Sequence, residues 1–85
     1  MKTFEYTIKD ELGIHARPAG LLVKAAKELD SKVIIEKDGK SADAAKLFAV
    51  MGLGAKKGDI LRVSVEGGNE EASAKLLEEF FSAHL

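Results

Sequence analysis

The stretch KTFEYTIKDELGIHARPAGLLVKAAKEL, Lys2 to Leu29, changes its hydrophobic period part-way along, and that change decides the fold class. Up to Lys9 the pattern alternates. Phe4, Tyr6 and Ile8 fall on one face and Thr3, Glu5, Thr7 and Lys9 on the other, which is the signature of a half-buried strand. After the turn residues Asp10, Glu11, Leu12 and Gly13 the period lengthens. Stepping about 100° per residue from Ala16 to Leu29 collects Ala19, Leu22, Val23, Ala26 and Leu29 on one side, as in an amphipathic helix. A strand with one polar face followed by a helix with one apolar stripe predicts a sheet covered on a single side.

The rest of the chain continues these two patterns. Val33, Ile34 and Ile35 mark a second strand from about Ser31 to Lys37, and Asp38-Gly39 is a two-residue hairpin signal into a third strand at Lys40 to Ala42. Ala44 to Leu53 predicts a short helix stopped by Gly52 and Gly54. Between Ile60 and Glu66, Leu61, Val63 and Val65 alternate with Arg62, Ser64 and Glu66 as in a fourth strand. Asn69 is a good N-cap, and Glu70 and Glu71 complement the dipole of a last helix over residues 70–84. That helix is expected to bury Ala72, Leu76, Leu77 and Phe80, with Phe81 beside them. The order is βαββαβα. The expected fold is α+β, an open-faced β-sandwich whose four-stranded antiparallel sheet carries three helices on one face, formed by residues 1–85 as one domain.

Composition removes several function classes. Thirteen basic and fourteen acidic residues leave a net charge of −1, with no overall attraction to nucleic acid or anionic membrane. Cysteine is absent, which excludes disulfides and thiolate metal sites. No apolar run reaches the roughly 18 to 20 residues of a membrane span, and the first residues lack the apolar core of a signal peptide. The expected setting is soluble and cytoplasmic.

The chemistry concentrates in Gly13-Ile14-His15-Ala16-Arg17-Pro18-Ala19. Proline suits a first helical turn, having no N–H to lose there. The first-turn N–H groups lack intrahelical partners, and neither His15 nor Ala16 carries the short oxygen-bearing side chain that usually caps them. Those donors, the positive end of the helix dipole and the Arg17 guanidinium together make a phosphate-sized receptor. His15 stands beside it, and an uncharged imidazole is a nucleophile near neutral pH. On the polar side of the helix, Leu21 and the small Gly20 lie among Arg17, Lys24 and Lys27, which suggests a docking surface for an acidic partner. The short helix carries Leu47, Phe48, Val50, Met51 and Leu53, more than it can hide; Val50 and Leu53 read as core, and Phe48 and Met51 as partner-facing.

Other motifs fail on spacing. Gly39-Lys40-Ser41 resembles the end of a P-loop, but Ile34 stands where the required earlier glycine belongs. Gly52, Gly54 and Gly58 miss the dinucleotide spacing and precede a strand. His15 and His84 have no local cluster of further ligands, so no metal is expected, and His84 reads as a cation complementing a helix C-terminus.

With these residues in view, the chain resembles the HPr family of histidine-containing phosphocarriers of the bacterial phosphoenolpyruvate-dependent sugar phosphotransferase system. Gly13 to Ala19 looks like the family's active-site signature, and Gly39-Lys40-Ser41-Ala42, Val50-Met51-Gly52-Leu53-Gly54 and Lys57-Gly58 match further along, so the likeness spans essentially the whole chain. The resemblance implies a carrier that is not itself an enzyme and needs no cofactor. His15 would accept a phosphoryl group at Nδ1 from phosphorylated enzyme I and donate it to enzyme IIA domains. Arg17 would neutralise its charge, and the Ala16 and Arg17 backbone N–H groups would hold its oxygens. Gly20, Leu21, Lys24, Lys27, Leu47, Phe48, Met51 and Gly52 would form the partner-binding surface of a monomer. Where many Gram-positive relatives have a regulatory serine at the start of the short helix, this chain has Lys46, which implies that the seryl switch is absent or has moved to a site outside the family pattern. Leu12 departs from the short polar residue of many relatives. The alternative within the family is a paralogue serving a regulatory phosphorelay, nitrogen-type or dihydroxyacetone-kinase-linked, with which the Leu12-Gly13 pair is compatible.

Overall fold

The computed structural model describes residues 1–85. The elements run β1 (Lys2–Thr7), α1 (Ala16–Glu28), β2 (Lys32–Lys37), β3 (Lys40–Asp43), α2 (Leu47–Gly52), β4 (Ile60–Glu66) and α3 (Glu70–His84). This is the expected βαββαβα order. The strands form one sheet in the spatial order β1-β4-β2-β3, and every neighbouring pair is antiparallel. Phe4 pairs with Val63 and Tyr6 with Leu61, while Val33 and Ile35 pair with Val65 and Val63 from the other side. Alternation therefore turns one set of apolar side chains from each strand toward the helices, leaving Glu5, Arg62 and Glu36 in a row on the open face.

β4 is central in both sequence pattern and space: Leu61, Val63 and Val65 are fully buried. Ala19, Leu22 and Ala26 of α1 and Leu77 and Phe81 of α3 close over them. The hairpin from β2 to β3 turns at Asp38 (φ 50°) and Gly39 (φ 80°), two consecutive left-handed residues of the kind a tight antiparallel turn requires. Asn69 caps α3, its side-chain oxygen accepting the Ala72 N–H at 3.2 Å.

Two expectations need correction. The second helix begins at Leu47 rather than Ala44, because Asp43 closes a turn first: its Oδ1 accepts the Ala45 N–H at 2.9 Å and its carbonyl accepts that of Lys46 at 3.0 Å. Ala44 instead prolongs the ladder, donating to the Val33 carbonyl at 2.9 Å. In α3 the buried face is Ser73, Ala74, Leu77 and Phe81, whereas Ala72 is exposed, Leu76 is 57% exposed and Phe80 is only half-buried. Apolar residues occur on both rows of this helix. What selects between them is a socket on the edge strand, where Phe81 packs against Phe4 (ring centroids 5.9 Å apart) and Tyr6 (5.5 Å).

A polar clamp holds α2 to the loop before β4. Lys37 reaches the Leu53 and Gly54 carbonyls, each at 3.3 Å, and the Asp59 carboxylate at 3.3 Å. Asp59 Oδ2 also accepts the Lys56 N–H at 2.8 Å, and this bond, followed by the Lys37 ammonium, holds the carboxyl below its ordinary range. A carboxyl depressed in the folded state adds stability above its unfolded value, about 3.9, and loses that contribution as pH falls through the depressed folded value. Asp59→Asn is therefore expected to lower the thermal midpoint at neutral pH, with the gap to the parent closing below about pH 4. Thermal melts of both proteins across the acid range check this, and a gap unchanged down to the acid limit would refute it.

Candidate functional site

The loop leading into α1 is built by short-range hydrogen bonds. Asp10 accepts the Leu12 N–H on Oδ1 at 2.8 Å and the Gly13 N–H on its carbonyl at 3.0 Å. Asp10 thus orders the turn that Leu12, 70% exposed, does nothing to hold with its side chain. Gly13 is left-handed (φ 67°) and lies against the Ala55 backbone; the next residue, Ile14, is buried and donates to the Ala55 carbonyl at 3.0 Å. Tight docking on both sides of the Gly13–Ile14 peptide sets the direction in which His15 leaves the core.

His15 is the N-cap residue of α1, in extended conformation (φ −92°, ψ −176°), and its side chain makes no capping hydrogen bond. Its carbonyl accepts the Ala19 N–H at 2.9 Å, so the backbone at His15 is the first rung of the helix while the ring stays half-exposed. The N–H groups of Ala16 and Arg17 have no partner four residues back, and Pro18 has none to offer. Two unpaired donors and the positive end of a 13-residue helix therefore flank the imidazole. No acidic side chain occupies the first turn to neutralise that end. Pro18 is buried and Arg17 is exposed, which leaves the guanidinium free to swing toward an anion at His15.

A shallow cavity of about 290 Å³ opens here, lined by Asp10, His15, Arg17, Pro18, Leu21, Ala83 and His84. It joins His15, Arg17 and Leu21, which sequence reasoning had singled out, to Asp10 and His84, which it had not assigned to the site. His84 lies 69 positions after His15, and no periodicity or motif connects them. Only the docking of the end of α3 onto the loop after β1 makes them neighbours.

α1 packs beside α2 on the covered face of the sheet. Leu21 (39% exposed) and Met51 (38%) show part of their surface, and Phe48 is 85% exposed. Leu47 is also exposed, as are Lys24, Lys27 and Lys46. The two glycines of this surface, Gly20 and Gly52, need no special backbone angle, and a Cβ built on either would meet nothing within 4 Å. A mid-helix glycine costs about 1 kcal/mol against alanine, and packing within this chain offers no reason for one at Gly20. A bare backbone beside exposed apolar side chains does suit close approach by another molecule. Ser41, the serine nearest α2 in the sequence, lies on β3 opposite Glu36, and Lys46 occupies the N-cap of α2.

The donor set includes no group of three or more metal-ligating side chains. No helix is long and apolar enough to cross a membrane.

Both the sequence and the fold have matches among known proteins. The family model for the PTS HPr component phosphorylation site matches residues 2–83. The phosphocarrier protein HPr of Lysinibacillus sphaericus is 42% identical over 83 residues, covering 93% of this chain and 94% of that protein. The crystal structure of HPr-C-His from Thermoanaerobacter tengcongensis superposes with a TM-score of 0.93 at 36% identity, covering 99% of this chain and 94% of that one. An HPr dimer from the same organism superposes with a TM-score of 0.76, also at 36% identity, over 98% of this chain and 95% of its own.

Proposed function

The chain belongs to the HPr family of phosphocarrier proteins, and on that premise we propose that it relays phosphoryl groups from enzyme I to enzyme IIA domains of the sugar phosphotransferase system through His15. The observation that carries this reading is the pairing of a half-exposed imidazole, free of any capping role, with the unpaired N–H groups at the start of α1. In the first half-reaction the Nδ1 lone pair of His15 attacks phosphorus and the donor's bond to phosphorus breaks, its electron pair remaining with the donor. The second half-reaction is the same displacement with His15 as leaving group. Neither step requires a cofactor.

Arg17 and the backbone N–H groups of Ala16 and Arg17 are the phosphoryl-binding elements. The partial charges of the two N–H groups are fixed before the phosphoryl group arrives, which limits the reorganisation needed at transfer, and the exposed Arg17 guanidinium swings in to meet the charge. Residues 1–85 act as one domain and as a monomer, since successive partners need the same face free. That face is Gly20, Leu21, Lys24, Lys27, Leu47, Phe48, Met51 and Gly52: an apolar centre with cations at its edge suits acidic partner surfaces. The reading is tested by incubation with phosphoenolpyruvate, magnesium and catalytic enzyme I, with intact-mass and phosphorus NMR detection.

Lys46 places a fixed positive charge at the start of α2, so docking is constitutive and no seryl switch operates at this helix. An ATP-dependent seryl kinase of HPr should leave Ser41, the serine nearest α2, unlabelled. Lys46→Glu should slow transfer several-fold at low salt and progressively less as salt rises, since exposed charges are screened beyond about 10 Å at 0.1 M. Phosphoserine mapped near α2, or equal transfer rates at all salt concentrations, would remove this role.

A further inference from the structure

The cavity at His15 holds a second imidazole. His84 lies at the end of α3, and its ring stacks on Phe80 with centroids 4.6 Å apart and planes tilted by 41°. Phe80 in turn meets Phe81 at 6.1 Å, and Phe81 is locked between α3 and β1. The end of the helix is held just as firmly. Leu85 is buried, its N–H donates to the Phe81 carbonyl at 2.8 Å, and its backbone oxygen accepts the N–H groups of Lys9 and Asp10, both at 2.7 Å. His84 is therefore exposed yet delivered to the cavity at a set position.

The placement raises an electrostatic problem that the residue itself can solve. The start of α1 presents the positive end of a dipole to an anion at His15, but α3 brings its negative end to the same cavity through Ala83 and His84. The loop after β1 adds Asp10, the one carboxylate lining the cavity, with Oδ1 engaged by the Leu12 N–H. From α1 the facing charged or titratable groups are His15 and Arg17. Arg17 and the start of α1 would have to offset both an acidic side chain and an unfavourable helix end. A protonated imidazole on that helix end cancels the repulsion and supplies a donor.

We infer that His84 is a phosphoryl-binding residue of the carrier site: in its protonated form it donates a charge-assisted hydrogen bond to a phosphoryl oxygen on His15, making phosphoryl retention stronger in mildly acidic solution. The inference rests on the carrier reading above and adds a residue and a pH dependence to it. No covalent bond to His84 forms, and its proton stays in place.

A competition experiment separates the two. Parent and His84→Gln, which differ in mass, are mixed in equal amounts with limiting phosphoenolpyruvate, magnesium and catalytic enzyme I, and intact mass reports how the phosphoryl pool divides. Both proteins share one donor, so the pH dependence of enzyme I cancels in the ratio. The parent should hold the phosphoryl group about three- to fivefold more strongly near pH 5.5, with a smaller advantage at pH 8. His84→Lys, a fixed cation, should retain the advantage at both ends. Equal division at every pH, or a difference that ignores pH, overturns the inference while leaving the carrier reading intact. Failure of every protein to become phosphorylated overturns both. Matching ring-NMR signals for His84 before and after phosphorylation of His15 would also refute it, because a residue that only stacks on Phe80 has no reason to sense the phosphoryl group.

Discussion

His15→Ala is expected to remain folded and to lose phosphoryl acceptance entirely. The first half follows from the His15 side chain, which is half-exposed and makes no capping hydrogen bond, so stability should change by no more than about 0.5 kcal/mol. The second follows from the absence of a substitute: His84 shares the cavity, but it stands at the negative end of α3, where a phosphoryl group bonded to it would meet unpaired helix carbonyls. After incubation with phosphoenolpyruvate and catalytic enzyme I, the parent should gain one acid-labile phosphoryl group and the variant none. An unphosphorylated parent would refute the carrier reading, and a phosphorylated His15→Ala would move the acceptor elsewhere.

The second large effect is expected at Gly13, where fold and site are most tightly joined. Its φ of 67° lies in the left-handed region, which costs a non-glycine residue about 1 kcal/mol or more. The larger problem is steric: a Cβ here would overlap the Ala55 carbonyl oxygen and come within 2.7 Å of Lys56 Cα, both rigid backbone atoms. That carbonyl accepts the Ile14 N–H at 3.0 Å, so relieving the overlap also strains this bond. Gly13→Ala should destabilise the protein by about 3 kcal/mol or more, lowering the thermal midpoint of a domain this small by roughly 12 °C or more. Phosphorylation by enzyme I should slow as well, because His15 leaves the core in the direction set by this contact. Gly20→Ala is the control: an added methyl group meets nothing, and alanine is the better helix former. Equal melting of Gly13→Ala and the parent would show that the Gly13–Ala55 packing does not govern the fold here.

Much of this arrangement was legible because it depends on near neighbours in the chain. Phe4-x-Tyr6-x-Ile8 and Leu61-x-Val63-x-Val65 can bury their apolar sides only as strands, and Ala19, Leu22 and Ala26 share one side of any helix that contains them. Asp38-Gly39 and Asn69 carry their turn and cap chemistry in their own side chains and backbone freedom. The proposed nucleophile is legible for the same reason: histidine, arginine and proline at the start of an amphipathic helix bring imidazole, guanidinium and free N–H groups together within one turn. The start of α2 was misjudged because helix period extends back to Ala44, whereas Asp43 uses its side chain and carbonyl to close a competing turn.

Tertiary structure decided whatever depends on which surfaces meet. In α3 two apolar rows were available, and the Phe4–Tyr6 socket on β1 chose the row of Phe81, leaving Leu76 exposed. Lys37 looks like an ordinary strand residue until the fold brings the carbonyls of Leu53 and Gly54 and the Asp59 carboxylate to its ammonium. His84 joins the cavity of His15 only because the Leu85 oxygen takes two N–H groups from the loop after β1. Periodicity, capping and turn chemistry act over a few residues, and so local pattern is enough for the order of elements, for their buried faces in β1, β4 and α1, and for the candidate histidine. Contacts between distant segments depend on shape complementarity and on competition for the same hydrogen-bonding groups, neither of which a local pattern records.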